Sequence, residues 1–502
     1  MGNVESTVPT RLSECINEEG NFCFEKFFQY RNYQAEIDDE DIGDRVNVDD
    51  NNRDNANHFR RIRTCKKKRN EVVLEDGTIY NPTPRTCDWF ILYVGRPAIE
   101  RLDFHQNFRN KFRLPYDLFL SMVREISEHA AFTQWSNKMD CTGIAGTPIE
   151  LLLLGTLRIL GRDCKFDCIA SQIKVSIATI HSFFHKFCLY GATTLFEKHV
   201  KYPTTRHELH AQMMDYARLG LHGAVGSMDA THIASIRIPS SIAQAHKSFK
   251  SSHTARSYNI TVNHKCRILH STRGFPARMN DKSIVRYDDF YLKILHGEIG
   301  NDVEFFLYYT DGNTGEVELQ KYRGVWIIVD NGYLVESITV PPTKTTRFID
   351  EQKWSRRIES VRKDVERTFG ILKGRFEILR TQSRVHKVEC MDNVWMTCCA
   401  LHNIIHDFDS TMNEADLNNQ DDSIEDDHID FFNALQVQQQ QSINGLVVDI
   451  DPFALLIPND TTYPNGCDVI PLNKLQLDVF KSRLVKHYAI CKQLGQSQWN
   501  ET

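Results

Sequence analysis

Three acidic side chains stand out by where they fall. In VGSMDATHIASIRIP, residues 225–239, Asp229 sits in the middle of a run that Val225, Met228, Ile233, Ile236 and Ile238 mark as a buried strand. GVWIIVD, residues 324–330, reads as a second buried strand ending on Asp330, with Asn331 and Gly332 turning the chain directly after it. Glu366 falls on a helix expected over about 353–373. It lies off the apolar stripe of Ile358, Val361, Val365, Phe369 and Leu372, on the face shared by Glu359, Arg362 and Lys373. An unpaired buried carboxylate costs several kcal/mol, so each of these must be neutralised by a metal, paired with a base or exposed at a strand end. Singly, each has an ordinary reading: a turn former, a cap, or a helix-surface partner of Arg362. Together, on separate elements, they suit two divalent ions. Mg²⁺ and Mn²⁺ take hard oxygen ligands, and a pair ~4 Å apart can hold the attacking and leaving oxygens of an in-line phosphoryl displacement. Water as the nucleophile gives strand cleavage, and a DNA 3′-hydroxyl gives strand transfer.

The elements that would position these acids follow from hydrophobic periodicity. Phe104, Phe108 and Phe112 recur at helical spacing, and Pro115 opens a helix with Leu118, Phe119, Met122, Val123 and Ile126 on one face. Thr147 and Pro148 open another helix that runs to about Gly161. Residues 165–188 then give a short helix (166–173), a turn at 174–176 and a second helix with Ile177, Ile180, Phe183, Phe184 and Phe187 inward. This is helix-turn-helix patterning, and an ordinary helical hairpin shares it. If it meets DNA, Thr179 and Lys186 are on the helix that would enter the groove. From 225 the pattern changes to strands and helices. SYNITVNHKCRILHST, 257–272, suggests two antiparallel strands turning near 263–265, and a helix is expected over 283–295 after Asp281. A surface hairpin is expected near 297–323, and a closing helix over about 392–406. His402 and His406 in that last helix lack a third ligand in motif and read as structural.

These pieces, in this order, resemble the transposases and derived nucleases of the PIF/Harbinger type, a branch of the DDE superfamily endonucleases with a ribonuclease H-like fold. The matching segments are MDATHI (228–233), RGFPARMNDKSI (273–284), VDNGYL (329–334) with TVPP (339–342), VERTFGILKGRFEIL (365–379) and ALHNIIHD (400–407). The resemblance spans roughly residues 100–410. It implies an α/β fold, a ribonuclease H-like mixed sheet with flanking helices, preceded by an all-helical domain containing the helix-turn-helix. It also implies Asp229, Asp330 and Glu366 as catalytic acids holding two Mg²⁺ or Mn²⁺ ions, with Asp281 as a further metal ligand or organiser. Lys373 and Arg375, at the basic end of the helix, and Arg362 are then expected to meet DNA phosphates, with screened surface charge as the competing reading. The sequence departs from the family pattern at Ala230, where glycine is usual, at Asn280, where histidine is common, and in VDNGY, where GDSGY is commoner. None of these removes a carboxylate.

The domain plan read from the chain is a largely disordered segment over 1–85, the helical domain over 86–215 and the nuclease domain over 216–406. An acidic and glutamine-rich linker over 407–443 and a small helical appendage over 444–502 complete it. A net charge of −6 argues weakly against nucleic acid, but the charge is segregated. Residues 344–387 carry 13 Lys or Arg against 6 Asp or Glu, whereas 407–431 carry ten acidic residues and no Lys or Arg. The basic cluster at 60–69 reads as a nuclear import signal, a phosphate-contacting arm or a solvated charge run. The 14 cysteines show no CxxC pair, which points to reduced thiols, and there is no apolar run long enough to span a bilayer. Expected partners are duplex DNA such as transposon ends, a Myb-like DNA-binding protein implied by the resemblance, and a second copy of the chain in a homo-oligomer. The expected location is the nucleus, with the cytoplasm left open. Two alternatives stay open: a domesticated, non-cleaving DNA-binding or scaffold protein, and a nuclease acting on RNA by the same metal chemistry.

Overall fold

The computed structural model describes residues 72–73, 79–80, 83–101, 103–135, 146–247, 253–310, 317–334, 336–385, 387–419 and 469–493. The basic cluster at 60–69, the acidic stretch beyond 419 and the glutamine run lie outside them. A short antiparallel ladder pairs β1 (Val72–Val73) with β2 (Ile79–Tyr80). Helices α1 (Phe104–Phe112), α2 (Tyr116–Glu128), α3 (Ile149–Arg162), α4 (Phe166–Ile173), α5 (Ile177–Tyr190) and α6 (Arg206–Ala217) follow. α1 forms because three phenylalanines recur on one face, and all three are buried. Proline stands at the N-cap of both α2 and α3, where its missing N–H removes no helical bond.

α3 is the centre of the helical region, with Leu151 to Leu154, Leu157, Ile159 and Leu160 buried almost all round. Its Gly155 lets α4 and α5 approach, since a Cβ there would lie 2.8 Å from Ile169 and 3.0 Å from Ile180. α4 and α5 occupy the expected positions, joined through Lys174 in the left-handed region (φ 56°) and capped by Ser176, whose hydroxyl accepts from the Thr179 N–H. Ile180, Phe183, Phe184 and Phe187 point inward as the spacing predicts. Ile177 does not: at the first position of α5 it faces away from α3 and is 53% exposed.

The main sheet is mixed. β3 (Ala224–Ala234) lies between β9 (Trp326–Ile328), to which it is parallel, and β4 (Ala255–Val262), to which it is antiparallel. β5 (Ile268–Ser271) and β6 (Phe275–Pro276) pair with β4, and β10 (Thr339–Val340) runs parallel to β9 at the other edge. Every residue of β4 is buried. α8 (Ile349–Arg375) packs on β3 and β4, and α9 (Val388–Asn419) on β5 and α5. Arg256 of β4 makes a bidentate pair with Asp392 of α9 (2.8 and 2.7 Å), which also accepts from Tyr258 Oη at 2.9 Å. This satisfied buried network fixes the sheet to its covering helix. Tyr258, Ile260, Val262 and Ile268 share one apolar core with α1 to α5, α8 and α9, so the helical region and the sheet are packed as one body.

Four elements differ from expectation. The helix expected over 283–295 is broken into a turn at Asp281–Ile284, a 3-10 turn and α7 (Asp289–Leu295), because Asp288 caps α7 by accepting from Tyr291 N–H at 3.0 Å. α9 starts four residues earlier than the sequence suggested and continues to Asn419, into the stretch taken as linker. Ile236, expected inside, lies beyond the end of β3 and is 54% exposed. The expected hairpin exists as β7 (Glu304–Thr310) and β8 (Val317–Arg323), yet it is no surface feature: Phe305, Leu307 and Tyr322 are buried.

The cover comes from the far end of the chain. β11 (Ile470–Pro471) adds in parallel to β8, and α10 (Leu477–Gln493) packs over β7 and α8. Phe480 of α10 sits with its ring 5.9 Å from Tyr322 and 6.2 Å from Trp326, fully buried. The C-terminal segment therefore completes the second core, which also holds Met228, Trp326, Ile328 and Trp354. Phe480→Ala should destabilise the whole unit by about 3–5 kcal/mol, as for other fully buried aromatic truncations. Urea denaturation followed by tryptophan fluorescence checks this, and an unchanged midpoint would mean the segment is peripheral.

Candidate functional site

Strand register brings two of the acids together. Ser227 of β3 pairs with Ile328 of the parallel β9, so two residues further on Asp330, just past the end of β9, comes beside Asp229, which stays in the sheet midway along β3. Asp281 reaches the same place from the turn that follows β6. A Cβ added at Gly332 would lie 2.9 Å from Asp330 Oδ1 and 3.1 Å from Asp281 Oδ2, so both carboxylates flank one point that only glycine leaves open. The loop is shaped for this: Asp330 Oδ1 accepts the Gly332 N–H at 2.7 Å, and Asp229 Oδ1 accepts the Ala230 N–H at 2.8 Å.

The electrostatics follow from that crowding. Burial, with Asp330 and Asp281 beside it, raises the Asp229 carboxyl to about 6, against the opposing pull of the Ala230 N–H and Arg362. Tyr333, next to Gly332, is fully enclosed, and burial together with Asp229, Asp281, Asp330 and Asp288 pushes its phenol well up. The Tyr333 hydroxyl donates to Asn259 Oδ1 at 2.6 Å, and Asn259 Nδ2 donates to Asp288 Oδ2 at 2.7 Å. This chain ties the loop carrying Asp330 to β4 and to the cap of α7, so the aspartates cannot relax apart by a simple loop shift.

Glu366 is placed differently. Its Oε1 accepts from Arg362 Nη2 at 2.8 Å, and its side chain is 48% exposed. Arg362 also bonds Glu359 at 2.7 Å, while its Nη1 stands 3.6 Å from Asp229 Oδ2. One turn and two turns along the same face of α8, Glu366 is thus flanked by Arg362, which reaches Asp229, and by Lys373. The Lys373 ammonium donates to Thr231 Oγ1 at 2.8 Å and to the His232 carbonyl at 3.4 Å. Asp229 and Thr231 project from the same face of β3, so Glu366 lies along the stripe of α8 that faces the aspartates, one guanidinium away from them.

The sequence therefore names four acids, of which the structure gathers Asp229, Asp281 and Asp330 directly. Glu366 is held by Arg362. Asp281, ranked behind the other three by sequence, is as close to the pair as any. Oxygens of Asp330 and Asp281 flank one point, and Asp229 is their electrostatic neighbour, but among the described residues the three do not bring one oxygen each within 4.8 Å of one another. Hard carboxylate oxygens from three separated elements are the donor type of a Mg²⁺ or Mn²⁺ site, and an ion there would draw them closer. The expected phosphate contacts are engaged inside the protein: Lys373 as above, and Arg375 with His402 Nδ1 at 3.4 Å. Thr179 holds its hydroxyl 2.7 Å from that of Ser176, and Lys186 is half-buried on α5. Tyr333, Asn259 and Asp288 were missed as supports. A signal existed for Asn259, a lone amide in the apolar strand pattern SYNITV.

Among the described residues, one His and Cys cluster brings three potential ligand atoms within 4.8 Å of one another: His222, His487 and Cys491, all buried. Its hydrogen bonds argue against a metal there. The Tyr308 N–H donates to His487 Nδ1 at 2.9 Å, so the one ring proton of a neutral His487 must sit on Nε2, where it is donated to His222 Nδ1 at 2.7 Å. The nitrogen a metal would need is protonated, and the cluster fastens α10 to the segment before β3. His402 and His406 donate to the carbonyls of Cys266 and Lys265 at 2.9 and 2.7 Å, a structural role. The nine described cysteines are all unbridged.

Because the Asp229 carboxyl lies above its ordinary range, the folded state holds its proton more tightly than the unfolded chain. Stability without divalent ions is therefore unaffected by this group below about pH 4, falls as pH rises through about 6, and carries the full penalty above that. Asp229→Asn should raise metal-free stability at pH 8 by on the order of 2 kcal/mol and leave it unchanged near pH 4. Denaturation at the two pH values in EDTA checks this, and equal stabilities at pH 8 would contradict the crowding.

Residues 228–403 match the family described as DDE superfamily endonuclease. A relative, "Protein ALP1-like" from Arabidopsis thaliana, is 23% identical over 319 residues, covering 62% of this chain and 72% of its own length. No solved structure matches. No helix among the described residues is long and apolar enough to cross a membrane.

Proposed function

We propose that this chain, whose residues 228–403 match the DDE superfamily endonuclease family, cleaves phosphodiester bonds of duplex DNA with the help of divalent metal ions, on a ribonuclease H-like core. The observation that carries the reading is the convergence of Asp229 midway along β3, Asp330 just past the end of the neighbouring β9 and Asp281 in the turn after β6, with the Glu366 stripe of α8 facing them. Asp229, Asp330 and Glu366 would be the catalytic acids, with Asp281 as an added ligand. Two bound Mg²⁺ or Mn²⁺ ions would supply charge neutralisation at the scissile phosphate and activation of the attacking oxygen. The protein's own part is to hold the ligands rigidly. The Tyr333, Asn259 and Asp288 chain fixes the Asp330 loop, and the pairing of β3 with β4 fixes Asp229. Lys373, drawn against β3 beside the site, contributes a fixed positive charge there. With DNA as its substrate, the protein works in the nucleus on this reading.

A second reading, a non-cleaving DNA-binding or scaffold protein, is favoured by one observation: Glu366 is bonded to Arg362 instead of joining the aspartates. A plasmid-nicking assay in Mn²⁺ separates the two. Asp229→Asn and Asp330→Asn should each lower nicking by about 100-fold or more while leaving a folded chain, with a melt no lower than wild type, and DNA retention in place, as expected when one ligand charge is removed at constant shape. Nicking at the wild-type rate in either variant, or no nicking by the wild-type chain on any duplex, would overturn the enzymatic reading.

A further inference from the structure

The cation that the structure sets against Asp229 is an arginine of α8. Arg362 is 11% exposed and serves three carboxylates from one guanidinium: Glu359 with two hydrogen bonds (2.7 and 3.3 Å), Glu366 with one (2.8 Å), and Asp229 at 3.6 Å without one. A guanidinium stays protonated and has no lone pair, so it cannot become a metal ligand, and it repels any dication that Asp229 and Glu366 would hold. Arg362 and a divalent ion therefore compete for the same two acids.

The helix also sets where Arg362 can go. Its bond to Glu366 runs from i to i+4 with the base N-terminal, the weaker orientation, and reaches a carboxylate half in solvent. Its bond to Glu359 has the acid N-terminal, the better orientation, and already uses two nitrogens. Releasing Glu366 and Asp229 leaves the guanidinium paired with Glu359. No change in α8 is required, only a rotation of the arginine side chain.

Building on the metal-dependent reading above, we infer that Arg362 is a built-in competitor that keeps Glu366 off the aspartates until a divalent ion displaces it, with Glu359 as the acid that receives it. Arg362 is thus a positioning residue acting through Glu366. The arrangement keeps the crowded aspartates partly neutralised in the metal-free protein and makes assembly of the fourth acid depend on the ion.

The test is Mn²⁺ affinity of the full chain, by calorimetry and by the loss of the free-ion paramagnetic resonance signal, for wild type, Arg362→Gln, Glu366→Gln and the double variant. Arg362→Gln should bind Mn²⁺ about tenfold more tightly, and the gain should largely vanish in the double variant, because it comes from freeing Glu366. Arg362→Lys keeps the charge but loses the planar fork that pairs Glu359 through two nitrogens while a third faces Asp229, so it should gain about threefold, and it carries the test if Arg362→Gln fails to fold. An Arg362→Gln affinity equal to or below wild type overturns the inference. So does a gain that persists undiminished without Glu366, since that is long-range charge alone. Absence of any Asp229-dependent Mn²⁺ binding in the wild type would instead remove the metal reading on which the inference rests.

Discussion

Like charges forced together at one end of a sheet are the constraint on which this structure turns. Parallel pairing of β3 with β9 sets Asp229 beside Asp330, and the turn after β6 adds Asp281. Left to themselves, three carboxylates in a partly buried corner would splay apart or drive the loop into solvent. They are kept in place by elements that contribute no charge to the site. β4 is buried along its whole length, and Tyr333 and Asn259 pin the Asp330 loop to it. The cost shows in the Asp229 carboxyl, which burial first and then Asp330 and Asp281 hold above its ordinary range while Arg362 pulls the other way. A protein that stores unfavourable electrostatics at such a point is arranged for a cation to relieve them.

The surrounding architecture is what makes the corner stiff. One core joins the N-terminal helices, a face of the sheet, α8 and α9, and a second joins the other face to α10. Residues more than 150 positions further along the chain thus stabilise the strand that delivers Asp330: Phe480 packs on Trp326, the first residue of β9. His487, with its proton assignment dictated by the Tyr308 N–H, fastens the same helix to His222 just ahead of β3. Both strands that carry aspartates are held by the C-terminal segment, which gives it a structural reason to return to the domain.

Much of this was legible in the sequence, and the parts that were not share a cause. Asp229 and Asp330 announced themselves as carboxylates in apolar strands, and α1 to α5 followed from periodic aromatic and leucine residues. α8 followed from its apolar stripe. What a single segment could not disclose was anything decided by distant pairing. The β7 and β8 hairpin looks superficial because β8 is largely polar with only its Tyr322 buried, and the cover over Phe305, Leu307 and Tyr322 comes from beyond residue 469. Asp281 seemed secondary because its neighbours in sequence say nothing about Gly332. Arg362 looked like a surface base, because a helical wheel shows its partners on α8 but not Asp229 across from it. Lys373 looked available to phosphate for the same reason, while its ammonium is spent on Thr231.

The account stands on the aspartates sharing an ion, and the most direct measurement is the anomalous scattering of crystals grown with Mn²⁺. The predicted result is manganese bound at the carboxylates of Asp229, Asp330 and Asp281, with the Arg362 side chain turned toward Glu359. A map with manganese bound elsewhere, or with the three aspartates empty at saturating ion, would contradict it.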